Sequence, residues 1–203
     1  ECIQGESGVH PCTKEFLEAV RNLTKEHSAL MVCDEVQTGI FRCGTPFGFQ
    51  HFGVTPDIVT MAKGIAGGMP MGACAAPAHI AKAYQPGDHG TTFGGSCLAV
   101  AAATATLDTL SNGFQQHVQE TGEYMRQQLA GVSKVKEVRG VGLMNAIDFD
   151  ESVDAPALVQ KALGKGLLLN ATGAHTLRFL PPLVCEKGDI DAMVERLNQM
   201  IEA

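Results

Sequence analysis

The chain has 203 residues, 15 basic and 22 acidic, for a net charge of −7 and without a Lys/Arg cluster, which argues against a nucleic-acid partner. Its longest weakly polar run, Leu98 to Leu107, is alanine-rich, broken by threonines and far short of a membrane span. Seven scattered cysteines with no C-x-x-C pair indicate neither a disulfide framework nor a zinc site, and suit a reducing, cytoplasmic setting.

The opening, ECIQGESG, starts on Glu1 instead of Met and reads as the polar end of a strand with no strand before it, so an upstream segment is expected. Thr13 is placed to cap a helix whose apolar positions are Phe16, Leu17, Val20, Leu23 and Leu30. Ala29 to Val36 is then a continuous apolar run ending in two acids, the pattern of a strand covered on both faces in a parallel sheet. An irregular connection from Thr38 to Val54 leads to a strand at Ile58 to Met61, and Gly72 to Ala76 is a third short apolar segment.

Further on, His79 to Tyr84 forms a helical turn, Gln85 to Gly95 is a glycine-rich loop, and a long helix runs from Ser96 to the stop at Ser111-Asn112-Gly113. A second helix spans Phe114 to about Ala130, with Gly122 a weak point in its middle. The rest alternates. Strands are predicted at 135–139, 141–149, 167–170 and 175–179, with helices at 156–163 and 190–201. The reading is an α/β part over 1–105 with a mainly parallel sheet, then an α+β part over 106–203 that includes the long linking helix. Three predicted strands are too few for a doubly wound sheet, so about half of the first layer is expected to lie outside this chain.

Two residues dominate the chemistry. Lys63 follows the Ile58–Met61 strand, with Ile58, Val59, Met61 and Ile65 around it, and a poorly solvated amine there could attack a carbonyl. Asp34 ends the preceding strand, and consecutive parallel strands present their ends on one edge, so carboxylate and amine would share a crevice. A carboxylate beside a ring nitrogen keeps a pyridine protonated as an electron sink, which suits pyridoxal phosphate. The bland alternatives are a lysine reaching into water and a solvated strand end. His89 to Gly95 adds hydroxyls and open amides ahead of a helix, a favourable place for phosphate. His79, His117 and His175 have no motif partner and are read as surface residues, Arg139 as structural, and Met61, Met69 and Met71 as core fillers.

The series DEVQTG (34–39), MAKGIAGGMPMG (61–72) and HGTTFGG (89–95), with ECIQGESG at 1–8 and LRFLPPL at 177–183, closely resembles class III, ornithine-type aminotransferases along essentially the whole chain. The resemblance implies a partial PLP-transferase type I, aspartate aminotransferase-like large domain followed by the small domain. It implies pyridoxal 5'-phosphate as cofactor and Lys63 as Schiff-base lysine and general acid/base. It also implies Asp34 on the pyridine nitrogen, Glu35 in the cofactor-lining turn, Val36 on the ring face, Gln37 at the 3'-oxygen, and Thr92 on the phosphate held mainly by the other subunit of a homodimer. Thr91, Glu6 and Arg178 would meet substrate, with Arg178 gripping a carboxylate and Glu6 pairing with it when the other substrate is bound.

The reaction implied is transfer of the ω-amino group of an acetylated or succinylated ornithine to 2-oxoglutarate. The alternatives are an ornithine or γ-aminobutyrate type of the same class, or a non-catalytic remnant. Cys2, Ser7 and Ser96-Cys97 depart from the family pattern without removing a reacting group, but its amino-terminal half has no counterpart here. The 203-residue chain alone is therefore expected neither to hold cofactor tightly nor to turn over.

Overall fold

The computed structural model describes residues 1–202 and divides into two compact units. Glu1–Cys2, Cys12–Phe41 and Thr45–Gln115 make the first; Ile3–Pro11, Arg42–Gly44 and the chain from Gln116 onward make the second. The opening motif thus contributes Ile3–Gln4 (β1) and His10–Pro11 (β2), a short antiparallel pair, to the second unit. Among the described residues no helix is long and apolar enough to cross a membrane.

In the first unit, Thr13 accepts the Phe16 N–H at 3.2 Å and starts Lys14–Glu26 (α1) where the sequence predicts. The expected apolar stripe is only partly used: Leu17 is buried, whereas Phe16 and Leu23 are more than half exposed. Val32–Asp34 (β3) is shorter than the predicted run, and its burial alternates, with Cys33 inside and Val32 half-exposed. Within this chain one face of the strand, that of Cys33, is covered and the other is exposed.

Gly48–His51 (α2) is a single turn in the irregular connection, followed by Ile58–Met61 (β4), a 3-10 turn at Lys63–Ala66, Ala73–Ala75 (β5) and Ala78–Ala81 (α3). The sheet order is β3-β4-β5. β3 and β4 run parallel with Asp34 opposite Thr60, while β5 returns antiparallel to β4 because the connection through Gly72 is too short for a crossover. Cys97–Ser111 (α4) closes the unit and packs on the 3-10 turn.

Asp57, just before β4, ties α1 to the start of β3. Its Oδ1 accepts from Arg21 Nη2 at 2.9 Å and its Oδ2 accepts from Arg21 Nη1 and from the Met31 N–H, the latter at 2.8 Å. The Arg21 guanidinium, and secondarily the Met31 amide, hold the Asp57 carboxyl down to about 2. A carboxylate depressed in the folded state stabilises above its unfolded pKa, about 3.9, and ceases to do so as pH falls through the folded value. Parent and Asp57→Asn are therefore expected to differ by a constant amount above about pH 5 and to converge between about pH 4 and pH 2. Urea midpoints against pH check this; a gap that persists at the lowest pH would contradict it.

The second unit is built on Phe114–Ala130 (α5), Val135–Val141 (β6), Met144–Phe149 (β7), Ala155–Leu163 (α6), Asn170–Ala171 (β8), Thr176–Phe179 (β9) and Lys187–Ile201 (α7). The antiparallel sheet runs β6-β7-β9-β8. Its core includes Met125 and Leu129 of α5, Ile147 of β7, Leu177 of β9, Leu158 of α6 and Leu197 of α7. The predicted strand at 167–170 reduces to Asn170–Ala171, since Leu167 and Leu169 pack on this core without pairing in the sheet.

Gly142, at φ +55, makes the β6–β7 turn, and a Cβ there would lie 2.5 Å from the Cys43 carbonyl carbon. Arg139, as expected, is structural: it grips both oxygens of Asp148 at 2.6 and 3.0 Å and donates to the Gly8 carbonyl at 2.7 Å. The surface reading of two histidines is corrected. His117 Nε2 lies 3.1 Å from the Cys185 carbonyl and His175 Nδ1 2.7 Å from that of Val153, each part-buried.

Candidate active site

Two groups of site residues are distinguishable. In the first unit, β3 and β4 are parallel and in register, so both carboxyl ends reach one edge of the sheet. Asp34 is the last residue of β3, exposed, with Oδ1 accepting the Val36 N–H at 2.9 Å. That bond folds the chain back immediately after the strand. Lys63 opens the 3-10 turn two residues after β4 ends, and buried Ile65 and Ala66 pin the turn from behind.

Lys63 has φ +50, a left-handed conformation that costs a β-carbon-bearing residue about 1–2 kcal/mol. Strain of this kind is kept where the surroundings impose it, often at functional sites. The lysine side chain is exposed in this chain, and of the apolar residues around it in sequence Ile65 is buried while Ile58, Val59 and Met61 are half-buried in β4. Among the described residues no hydrogen bond or ion pair engages its Nζ.

The acid after Asp34 behaves differently. Glu35 is 1% exposed, and its carboxylate accepts the Thr38 hydroxyl at 2.6 Å, the Gly48 N–H at 2.7 Å and the Phe49 N–H at 2.9 Å. These internal donors occupy both of its oxygens. Val36 and Gln37 are half-buried on the same turn, and Thr91 and Thr92 are exposed in the loop before α4. There the Thr91 methyl lies where a Cβ on Gly94 would fall, at 2.0 Å, so that glycine lets the loop close on the threonine.

In the second unit, Glu6 and Arg178 meet. Arg178 Nη1 donates to Glu6 Oε1 at 3.0 Å and to the Gly5 carbonyl at 2.9 Å, while Nε donates to Asn170 Oδ1 at 3.0 Å. The arginine side chain is 12% exposed and the glutamate 73%. Sequence reasoning missed Asn170. Its signal is the strand pairing, since Asn170 of β8 stands directly opposite Arg178 of β9. A cavity of about 660 Å³ adjoins these two residues, walled by Leu167, Leu169, Pro182, Ile190 and Met193 among others.

The class of protein follows from comparison with known families. Residues 1–201 match the model of the class-III aminotransferases, and the chain belongs to that family, whose members use pyridoxal phosphate. It is 45% identical over 206 residues to the acetylornithine aminotransferase of Caldanaerobacter subterraneus subsp. tengcongensis, covering 99% of this chain and 52% of that protein. The acetylornithine aminotransferase of Corynebacterium efficiens is 47% identical over 201 residues, covering 99% and 50%.

Among solved structures, the acetylornithine aminotransferase from Elizabethkingia anophelis superposes with TM-score 0.90 at 35% identity, covering 98% of this chain and 52% of that one. Plasmodium falciparum ornithine delta-aminotransferase gives 0.89 at 32%, covering 98% and 54%. The fold expected from the sequence is thus the observed one, and the chain spans about half the length of the curated relatives it matches.

Proposed function

We propose that this chain carries the lysine-bearing half of an aminotransferase that moves the ω-amino group of an acetylated or succinylated ornithine to 2-oxoglutarate. The observation that supports it is the β3–β4 register, by which Asp34 and the Lys63 turn end adjacent parallel strands at one sheet edge. The donor set suits a pyridine phosphate: a carboxylate with one exposed side, an unengaged amine, an amide at Gln37 and hydroxyls at Thr91 and Thr92. Pyridoxal phosphate, when bound, supplies an electron sink for negative charge at the substrate carbon.

The chain's residues do the rest. Asp34 holds a proton on the ring nitrogen, Val36 packs on the ring face, Gln37 reaches the 3'-oxygen and Thr92 binds the phosphate belonging to the other subunit of a homodimer. Lys63 anchors the cofactor and, once released, moves the proton at the substrate carbon bearing the amine. Arg178 grips the substrate carboxylate, a task for which its fork of donors is shaped, and Thr91 lies beside the substrate. Glu6 is mostly exposed, and an ion pair of that kind contributes only about 0–1 kcal/mol, so an incoming carboxylate displaces it at little cost. Residues 1–105 are read as the carboxy-terminal half of the cofactor-binding domain and 106–203 as the small domain.

A second reading, ornithine as donor, has support from the ornithine delta-aminotransferase likeness. In holoenzyme containing this chain, acetylornithine, succinylornithine, ornithine and γ-aminobutyrate compared as donors to 2-oxoglutarate separate the two. We expect an acylated ornithine to lead ornithine by about tenfold or more in kcat/KM, as a site built around one substrate group discriminates. Preference for free ornithine would favour the second reading, and no transfer from any donor would sink both.

A further inference from the structure

The mechanism above leaves unused a buried and fully engaged side chain of the first unit. Glu35 is tied at every polar atom. Its backbone N–H donates to Thr60 of β4 at 2.9 Å, its carbonyl accepts the Gly39 N–H at 3.0 Å, and its carboxylate takes the three donors described above. Two of these donors belong to the first turn of α2, where the N-cap, Phe47, makes no side-chain cap bond. A carboxylate thirteen residues earlier therefore does the capping.

The space around it is closed as well. A Cβ on Gly48 would fall 2.8 Å from Thr38 Cβ and 3.2 Å from Glu35 Oε2, and one on Gly39 would fall 2.7 Å from the Glu35 carbonyl oxygen. Thr38 is itself fully buried. Asp34 precedes this clasp by one residue, and Val36 and Gln37 lie between its two buried members, so all three side chains hang from it.

We infer that Glu35, clasped by Thr38 and the start of α2, is a positioning residue: it holds the turn that presents Asp34, Val36 and Gln37 to the cofactor without itself touching that group. The inference rests on the pyridoxal phosphate reading. A buried carboxylate facing three donors cannot be exchanged for an amide without turning an N–H against an N–H, and the turn must shift to relieve it. Asp34 and Gln37 then lose their alignment with the ring even though neither is altered. Thr38→Val removes one donor at constant volume and disturbs the clasp less.

The test uses holoenzyme containing this chain and reads three quantities: the dissociation constant for pyridoxal phosphate, the pH midpoint of the visible band of the lysine-bound cofactor, and the melting temperature of the cofactor-free protein. Glu35→Gln is expected to weaken cofactor binding by about tenfold or more, the effect of one mismatched buried donor, and to move the band's pH midpoint. Thr38→Val is expected to do both to a lesser degree, and Thr38→Ser, which keeps the hydroxyl, to recover most of that loss. If Glu35→Gln does not fold, the threonine pair decides. Cofactor affinity and band midpoint that stay at parent values while only the melting temperature falls would overturn the inference and leave Glu35 a stability residue. A parent protein with no visible band would instead sink the cofactor reading, and this inference with it.

Discussion

In holoenzyme containing this chain, Lys63→Ala abolishes the visible band of the lysine-bound cofactor and lowers the rate of amino transfer by at least about 10²–10⁴-fold, the range lost with a single proton-transferring group. The structural part of this expectation is that the fold hardly notices. The Lys63 side chain is exposed and its Nζ makes no ion pair or hydrogen bond among the described residues, while Ile65 and Ala66 hold the turn by burial. Alanine also has a β-carbon, so the strain at φ +50 is unchanged by the substitution. Melting temperatures of the cofactor-free parent and variant should agree within a degree or two while the spectrum and the rate collapse. Absorbance and turnover that survive in a cleanly folded Lys63→Ala protein would remove the lysine from the chemistry. A parallel collapse of stability would show that the residue also holds the turn together.

Gly122→Ala is expected to have the largest effect on stability, and in the direction opposite to helix propensity. In an exposed helix interior alanine gains about 1 kcal/mol over glycine, and the sequence marks Gly122 as a weak point of α5 on that ground. The structure reverses the sign. A Cβ at this position would lie 2.0 Å from the Gly142 carbonyl oxygen, 2.4 Å from its carbon and 2.9 Å from its Cα, all backbone atoms of the β6–β7 turn.

Nothing in that contact is a flexible side-chain end, so helix and hairpin must separate. The same carbonyl accepts from Asn145 Nδ2 at 3.0 Å and from Arg126 Nη1 at 3.2 Å, and both bonds loosen with it. A loss of about 3 kcal/mol or more follows from overpacking of this kind. Gly188→Ala in α7 is the control, since a Cβ there meets nothing within 4 Å and should be neutral or slightly stabilising. Urea midpoints of the two variants measure the contrast. A Gly122→Ala protein as stable as its parent would mean that α5 can leave the hairpin without penalty.

Elements with strong local signals were legible from the residues. The Thr13 cap, the Ile58–Met61 strand, the stop at Asn112-Gly113 and the Phe114–Ala130 helix all lie where period and cap chemistry put them. The motif series led correctly to the class-III family. Less legible was anything set by residues distant in sequence. A glycine in a helix could not announce that a turn twenty residues later would press against it.

The order of residue types along the chain was enough to define the family, the succession of helices and strands, and the candidates at 34, 37, 63, 92 and 178. These depend on local periodicity, capping and motif spacing, each carried by neighbours within a few positions. Tertiary structure alone decided which of two adjacent acids faces outward and which is spent inside, why Lys63 is exposed, and that Asn170 steadies Arg178. The reason is physical. Burial and hydrogen-bond satisfaction are settled by whichever distant backbone amides and side chains arrive at the same place, and the chain's order does not specify that meeting until it has folded.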